Sequence, residues 1–175
     1  MHVSFPPDPV TTNLPRAFLA GTIDLGKSRD WQSLVVSQFK DLNVQFINPR
    51  RPQWDTSWNE YKGTHPEMAK QIQWELSHQN SASVILMWFE AGSQSPITLL
   101  ELGLFAHSVP MIVGCPDGYV RASNVYETIK FLHRNKPDPT VTRVTPLVLV
   151  KTWGEFLQQV GEHLKHLHEL HRNFS

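Results

Sequence analysis

The sequence has one cysteine, no excess charge of either sign and no long apolar run. Cys115 has no second thiol to pair with, so an internal disulfide is excluded and cysteine usage gives no reason to infer an oxidising compartment. Sixteen basic residues balance sixteen acidic ones, which removes the overall field that would draw the chain to a nucleic acid polymer or an anionic membrane. We therefore expect a small-molecule ligand, and neither a nucleic acid nor a membrane as partner.

Targeting and membrane-spanning signals are also missing. The first residues contain neither a basic n-region nor an apolar h-region, and the apolar run from Val84 to Phe89 is far too short to cross a bilayer. The default expectation is a cytoplasmic protein. With 175 residues, of which 40% are apolar, the chain is expected to form one domain whose core is large enough for it to fold unaided.

Short apolar runs that alternate with longer amphipathic stretches set the expected architecture. Four prolines within residues 1 to 15 predict an extended arm, which precedes a single domain over residues 16 to 175. Successive β-then-α units indicate an α/β three-layer sandwich of flavodoxin-like (Rossmann-like) type, with a five-stranded parallel sheet in the order 2-1-3-4-5. The predicted strands are Ala17–Ala20, Val44–Ile47, Val84–Phe89, Met111–Val113 and Leu147–Val150.

Five helices are expected between and after these strands. They run over about Asp30–Leu42, Pro66–Gln79, a segment that begins near Pro96, Ser123–His133, and a last helix opened by the capping box Thr152-Trp-Gly-Glu155. In such folds ligands bind beyond the carboxyl ends of the strands, where the strand order reverses. Here that point lies between strands 1 and 3, so the segments that follow these two strands should meet at one crevice.

Glu101 is the only carboxylate in the apolar segment from Ser95 to Ala106. Burying an unpaired carboxylate costs several kcal/mol or forces it to take up a proton, so an acid in such a place normally has a partner or a catalytic role. A partly exposed Glu at the helix rim, or one satisfied by backbone N–H groups, is the structural alternative. A helix that begins near Pro96 is expected to place Glu101 on one protein-facing stripe with Ile97, Leu100, Leu104 and Phe105.

The loop after strand 1 matches a phosphate-binding motif, which indicates a different function. Residues 21 to 28 read Gly-x-x-x-x-Gly-Lys-Ser, the pattern of nucleotide triphosphatases, in which Lys27 and Ser28 would contact phosphate and magnesium. Against this, Ile23 and Leu25 are bulky for a tight loop, and the better helix cap comes after the lysine, at Asp30. No predicted strand ends in a magnesium-binding aspartate. A phosphotransferase or NTPase is kept as an alternative.

Four segments together resemble the nucleoside 2-deoxyribosyltransferase-like family over roughly residues 16 to 135. They are Phe18-Leu-Ala-Gly-Thr-Ile-Asp24, Asn48-Pro-Arg-Arg51, Trp74-Glu-Leu76 and Ser95-Pro-Ile-Thr-Leu-Leu-Glu-Leu-Gly103. The resemblance implies a flavodoxin-like fold and an N-glycosidase that acts on (deoxy)nucleosides or their 5′-monophosphates, by hydrolysis or by transfer of the sugar to another base. It implies neither a metal nor another cofactor.

The same resemblance implies the catalytic roles. Glu101 matches the nucleophile, which attacks C1′ of the sugar and displaces the base to leave a glycosyl-enzyme ester. Glu75 matches the second acid, an Asp in the family, which would protonate the departing base. Without the resemblance, Glu75 reads as an exposed helix residue.

Further candidates for substrate binding lie in the matching segments and at the predicted crevice. Ser95 stands where enzymes of free nucleosides have an Asp and monophosphate hydrolases have a Ser, which indicates a 5′-phosphate, although a plain helix cap explains it equally well. Asn124 is the candidate for reaching into a partner's pocket, since protomers of this family complete one another's sites; we therefore expect a homo-oligomer. The full set is Gly21, Thr22, Asp24, Arg50, Trp54, Asp55, Ser95 and Asn124.

Ala17 departs from the family pattern. Many relatives place a tyrosine near the nucleophile at this position of strand 1, whereas alanine offers no hydroxyl. Some other group must then orient Glu101, or catalysis is weaker. A nucleotide-binding protein without turnover therefore also stays open.

Overall fold

A computed structural model describes residues 2–10, 12–24, 28–51, 55, 58, 65–135 and 146–174 of the chain. The described residues form a three-layer α/β sandwich around a six-stranded parallel sheet. The strands are β1 (His2–Ser4), β2 (Arg16–Gly21), β3 (Gln45–Ile47), β4 (Val84–Trp88), β5 (Met111–Gly114) and β6 (Leu147–Val150). The helices are α1 (Trp31–Gln38), α2 (Pro66–Asn80), α3 (Pro96–Phe105), α4 (Ala122–Arg134) and α5 (Trp153–Phe174).

The strand order is β1-β3-β2-β4-β5-β6. The five predicted strands are β2 to β6, and their order, 2-1-3-4-5 in the predicted numbering, is confirmed. The predicted strand count is wrong, because His2–Ser4 adds a sixth, edge strand that pairs in parallel with Gln45–Ile47. The prolines that indicated an extended arm begin only at Pro6, which leaves the three residues His2–Ser4 free to donate to a sheet edge.

Side chains alternate across the sheet and divide the core into two halves. On β2, Phe18 and Ala20 face the half formed with α2, α3 and α4, whereas Ala17 and Leu19 face the half formed with α1 and α5. The strands of this sheet are apolar on both faces, as expected when helices cover both sides. The two halves position the helices that carry the candidate site.

Helix caps follow the sequence signals. The Asp30 side chain accepts a hydrogen bond from the Ser33 amide at 3.2 Å, so α1 begins after this residue. The capping box is confirmed, since the Glu155 amide donates to Thr152 Oγ1 at 3.2 Å and the Thr152 amide donates to Glu155 Oε2 at 3.0 Å. Helix α1 ends at Gln38 rather than Leu42, before a stretch that contains the weak helix formers Asp41 and Asn43. In the part of the chain described, no helix is both long enough and apolar enough for a membrane span.

Candidate active site

Two carboxylates of low exposure lie on α2 and α3: Glu101 is buried and Glu75 is partly buried. Glu101 of α3 is 8% exposed, and its Oε1 accepts a hydrogen bond of 2.6 Å from Gln79 Nε2 on α2. Glu75 of α2 accepts a hydrogen bond of 2.6 Å at its Oε1 from Gln71 Nε2, one helical turn earlier. Each carboxylate therefore has its own carboxamide donor, and the predicted burial of Glu101 is confirmed.

The electrostatics of this pair favour the protonated forms. Burial, and next the negative charge of Glu75, raise the pKa of Glu101 to about 8, while the hydrogen bond from Gln79 opposes the rise. Burial also raises the pKa of Glu75, against the opposing effects of the Gln71 hydrogen bond and the Arg51 charge. Because the two groups influence one another, they titrate as a pair that holds a proton near neutral pH.

The apolar stripe predicted around Glu101 is largely wrong. Ile97, Leu100 and Leu104 are 60%, 58% and 47% exposed, so they face outward. The buried residues of α3 are Thr98, Glu101, Leu102 and Phe105. Residues three and four positions from Glu101 lie on either side of it on the helix surface. Because α3 is apolar all round, their spacing alone did not show which side is buried and which is exposed.

A cluster of hydroxyl groups lies at the carboxyl ends of β2 and β4. Thr22 Oγ1 is 2.5 Å from Ser95 Oγ and 3.2 Å from Ser93 Oγ, and it accepts a hydrogen bond from the Glu90 amide at 3.0 Å. Thr22, Ser93 and Ser95 are each less than a tenth exposed. The segments that follow β2 and β4 thus meet where the strand order reverses, as predicted.

Helix α3 connects the hydroxyl cluster to the carboxylate pair. Ser95 immediately precedes the helix and adopts a left-handed conformation with φ 40°. Glu101 lies six residues later, which corresponds to about 9 Å along the helix axis.

Gly21 has a structural reason to be glycine. Its φ is +144°, and a Cβ at this position would lie 2.3 Å from the carbonyl oxygen of Trp88 on the neighbouring strand. The absence of a side chain lets the end of β2 approach β4 closely, and the next amide, of Thr22, donates to the same carbonyl at 3.0 Å.

Arg50 joins two of the loops at the carboxyl edge of the sheet. Its guanidinium donates to the carbonyl oxygens of Arg29 and Ser28, each at 3.2 Å, and lies 3.8 Å from a carboxylate oxygen of Asp30. The side chain thus ties the loop after β3 to the loop after β2.

The remaining predicted binding residues that the structure describes are exposed. Asp24 is exposed with φ 44°, Asp55 is exposed, and Asn124 is exposed in the first turn of α4. Trp54 lies outside the described residues, and so does Lys27 of the phosphate-loop motif.

Three residues near the pair were not singled out as site residues from the sequence. Arg51 acts on Glu75 electrostatically, and its guanidinium carbon lies 5.2 Å from the ring centroid of Trp58. Gln71 and Gln79 lie four positions before and after Glu75 on α2. Four-residue spacing places them on its face of the helix, which is the signal that would have found them.

The position of Ala17 also differs from the expectation. Its side chain lies in the half of the core that contains α1 and α5, on the other side of the sheet from α3. The β2 residue on the α3 side is Phe18, whose ring centroid is 6.4 Å from that of Trp74. Neither residue carries a hydroxyl that would orient Glu101.

The phosphate-loop alternative is disfavoured by the start of α1. That helix begins at Trp31 behind the Asp30 cap, so Ser28 is not in its first turn, where the motif requires it. Ser28 Oγ instead donates to the carbonyl oxygen of Thr22 at 3.3 Å.

A cavity of about 250 Å³ lies elsewhere, between α5 and the amino ends of β4 to β6, lined in part by Val84, Met111 and His163. It is at the opposite edge of the sheet from the hydroxyl cluster. The candidate active site is therefore assigned from the carboxylates and hydroxyls rather than from this cavity.

Comparisons with known proteins agree with this geometry. No curated protein matches the chain. Among solved structures, the fold is similar to a conserved protein from Enterococcus faecalis V583, with 10% sequence identity, a TM-score of 0.53, and coverage of 86% of this chain and 99% of that one. That likeness shows the fold alone. Residues 15–119, more than half of the chain and including both Glu75 and Glu101, match the family model described as nucleoside 2-deoxyribosyltransferase like. The chain belongs to the nucleoside 2-deoxyribosyltransferase-like family.

Proposed function

We propose that the protein cleaves the N-glycosidic bond of a (deoxy)nucleoside 5′-monophosphate, or of the free nucleoside, through a covalent glycosyl-Glu101 intermediate. The observation that carries this proposal is the pair of interacting carboxylates within the matched region, the buried Glu101 and the partly buried Glu75. A double displacement at C1′ needs one ionised carboxylate and one carboxylic acid, and a pair that shares a proton supplies both.

In the first step a carboxylate oxygen of Glu101 attacks C1′, and the C1′–N bond breaks with its electron pair going to the base. Glu75 delivers a proton to the base, so the base leaves in its neutral form. In the second step water attacks C1′ and gives a proton to Glu75, while the ester electrons return to Glu101. A second base in place of water would give transfer of the sugar instead.

The proton must start on Glu75 for this sequence of events. In the protein without substrate, the pKa of Glu101, raised to about 8 by burial and by Glu75, holds the proton on the nucleophile instead. The arrangement needed for the reaction differs from this one in the position of one proton, which must move from Glu101 to Glu75. Positive charge that develops on the sugar in the transition state favours the ionised form of Glu101 and therefore this arrangement.

Ser95 supports a 5′-monophosphate as the substrate. Its neutral hydroxyl and those of Thr22 and Ser93 lie at the start of α3, where the helix dipole favours an anion. An aspartate at this position would repel a phosphate dianion. We assign the other predicted residues to the sugar and base: Gly21, Asp24, Arg50, Trp54 and Asp55.

An exposed apolar face on α3 supports a homo-oligomer with its sites near the subunit interface. Ile97, Leu100 and Leu104 are exposed together on one side of α3, next to Glu101 and away from the buried Thr98, Leu102 and Phe105. Exposed apolar side chains grouped in this way are typical of a contact surface. A second copy there would lie beside the helix that carries the nucleophile, and the exposed Asn124 is our candidate for a residue contributed across the interface. A nucleotide substrate suits a cytoplasmic location.

The test is release of free base from a panel of nucleosides and 5′-monophosphates, followed by chromatography, for the wild type and Glu101→Gln. We expect release by the wild type, with monophosphates preferred, and a loss of at least about 1,000-fold in the variant because the nucleophile is gone. Equal release by both proteins would contradict the proposal.

A second function is favoured by one observation, namely the burial of Glu101 beside Glu75, which raises its pKa to about 8 and disfavours the ionised nucleophile. A protein that binds nucleotides without turnover would keep the pocket and a neutral Glu101. It predicts saturable binding of a monophosphate, measured by calorimetry, with no base released at any pH between 6 and about 9.

A further inference from the structure

We propose that Gln79 is the positioning residue of the nucleophile, because its carboxamide fixes and stabilises the Glu101 carboxylate. This inference rests on the proposed function, since it assigns the group that performs the orienting role for which Ala17 offers no hydroxyl. Gln79 would act through Glu101 and touch no substrate atom.

The contact is short and fully enclosed. Gln79 Nε2 lies 2.6 Å from Glu101 Oε1, and the two residues are 0% and 8% exposed. In a buried setting, a hydrogen bond from an amide to a carboxylate is stronger than one between neutral groups. It holds the carboxylate in one orientation and leaves Oε2 as the oxygen without this amide partner.

Gln79 opposes the two influences that keep Glu101 protonated. Burial and the charge of Glu75 both favour the neutral acid, and donation from Gln79 favours the anion. No cation among the described residues takes part in that balance, so the carboxamide carries the stabilisation of the anion there.

The carboxamide oxygen of Gln79 would allow this residue to form a hydrogen bond with Glu101 in both protonation states of the carboxyl group. Gln79 Oε1 is buried and has no hydrogen-bond partner among the described residues. Turning the amide would allow this oxygen to accept a hydrogen bond from the O–H of the carboxylic acid form of Glu101, just as Nε2 donates to the carboxylate form. The nucleophile therefore keeps a partner through both steps of the reaction.

The register of α2 assigns one carboxamide to each acid. Gln71, Glu75 and Gln79 follow one another at four-residue spacing on one face, and Gln71 donates to Glu75 whereas Gln79 reaches across to Glu101. Gln71 Nε2 also donates to the carbonyl oxygen of Pro49 at 3.1 Å, which anchors the beginning of the stripe. Replacing Gln79 should therefore affect Glu101 directly and leave Glu75 with its own carboxamide donor.

The experiment compares Gln79→Leu and the flexible isostere Gln79→Met with the wild type and with Gln32→Leu. Gln32 is also fully buried, but it belongs to α1 on the other side of the sheet, so the same substitution there controls for loss of a buried carboxamide. The readouts are kcat/KM for base release over pH 5 to about 10, and the pKa of Glu101, measured from the ¹³C carboxyl signal that Glu101→Gln removes.

We expect both Gln79 variants to raise the pKa of Glu101, to move the acid limb of the pH–rate profile to higher pH, and to lower kcat/KM about 10- to 100-fold, with most of the loss in kcat. Gln32→Leu should leave the pKa of Glu101 and the profile unchanged. A folded Gln79→Leu or Gln79→Met with a wild-type profile and a wild-type Glu101 pKa would overturn the inference.

The design separates this inference from the proposed function. Base release that needs Glu101 but is indifferent to Gln79 would remove Gln79 from the mechanism and leave the glycosidase intact. If no protein in the series released base, the proposed function would fail, and the role of Gln79 in turnover would fail with it. A shifted Glu101 pKa in the variants would then describe only a structural contact.

Discussion

At the scale of single residues, Glu101 combines burial with a charge that the reaction needs. Its pKa, raised to about 8 chiefly by burial and then by Glu75, lies above the 4.5 of an unperturbed Glu. Between these two pH values the folded protein holds a proton that the unfolded chain has released. The contribution of Glu101 to stability should therefore fall as pH rises from about 5 to about 8, the window set by this shift.

Glu101→Gln tests that linkage independently of activity. The neutral amide carries no charge to desolvate, so the variant should become more stable relative to the wild type as pH rises from 5 to about 8, by about 1–3 kcal/mol at the upper end. Urea unfolding at four pH values in this window measures the difference.

Glu127→Gln is the matched control, because Glu127 is exposed, pairs with Lys130, and has a pKa lowered chiefly by its hydrogen bond to Lys130. Its effect on stability should be constant across the same window. Parallel pH dependences for wild type and Glu101→Gln would mean that Glu101 is ionised and solvated in the folded protein.

The sequence was sufficient to predict the burial of Glu101 and to single out Glu75, but not the side chains that surround them. Glu101 stands out in the sequence as a carboxylate in an apolar helix, and Glu75 stands out because it lies in a segment that matches the family. The contact between Gln79 and Glu101 joins two helices, and side-chain reach between helices depends on their packing. The orientation of Ala17 depends on which face of the sheet each half of the core covers, and the sequence did not show this either.

At the scale of elements, the approach of β2 to β4 depends on Gly21. Gly21→Ala would place a Cβ 2.3 Å from the Trp88 carbonyl oxygen at a φ of +144°. The backbone of one strand end must shift, and we expect destabilisation by about 3 kcal/mol or more, or failure to fold. Thermal unfolding followed by circular dichroism measures the effect.

Gly154→Ala provides the control within the same chain. Gly154 is in the first turn of α5, and a Cβ there has nothing within 4 Å. Its replacement should be neutral or stabilising by up to about 1 kcal/mol, since alanine is the better helix former. Equal stability of the two variants would show that the end of β2 tolerates a side chain.

Elements were predictable where the pattern is long and strong. Helix α2 was placed within one residue at its end, since Pro66 and its following amphipathic stretch mark it clearly. Strand β1 was missed because three residues are too few to show alternation. The faces of α3 were misassigned because Leu and Ile occur all round this helix, so its pattern carries little directional information.

At the scale of the whole molecule, the exposed face of α3 predicts association of identical chains. Leu100→Asp places a charge in the middle of this face, at a residue that is 58% exposed and so contributes little to the core. We expect the wild type to elute as a multiple of 20.1 kDa and the variant as a 20.1 kDa monomer with reduced activity. Size-exclusion chromatography with light scattering measures both.

Leu170→Asp introduces the same charge at an apolar residue that is 41% exposed on α5, in the layer on the other side of the sheet. It should leave the assembly unchanged. A wild type that is monomeric at micromolar concentration, or a Leu100→Asp variant that assembles normally, would contradict an interface on α3.

The proposed reaction depends on a covalent bond between Glu101 and the sugar, and this ester can be trapped. A 2′-deoxy-2′-fluoroarabinosyl nucleotide slows release of the intermediate, because the fluorine destabilises the positively charged transition state. We predict that mass spectrometry of the trapped protein will show one added sugar phosphate on the peptide that contains Glu101, and none in Glu101→Gln. Base release by the wild type without an adduct at Glu101, or with the adduct at another residue, would contradict the account.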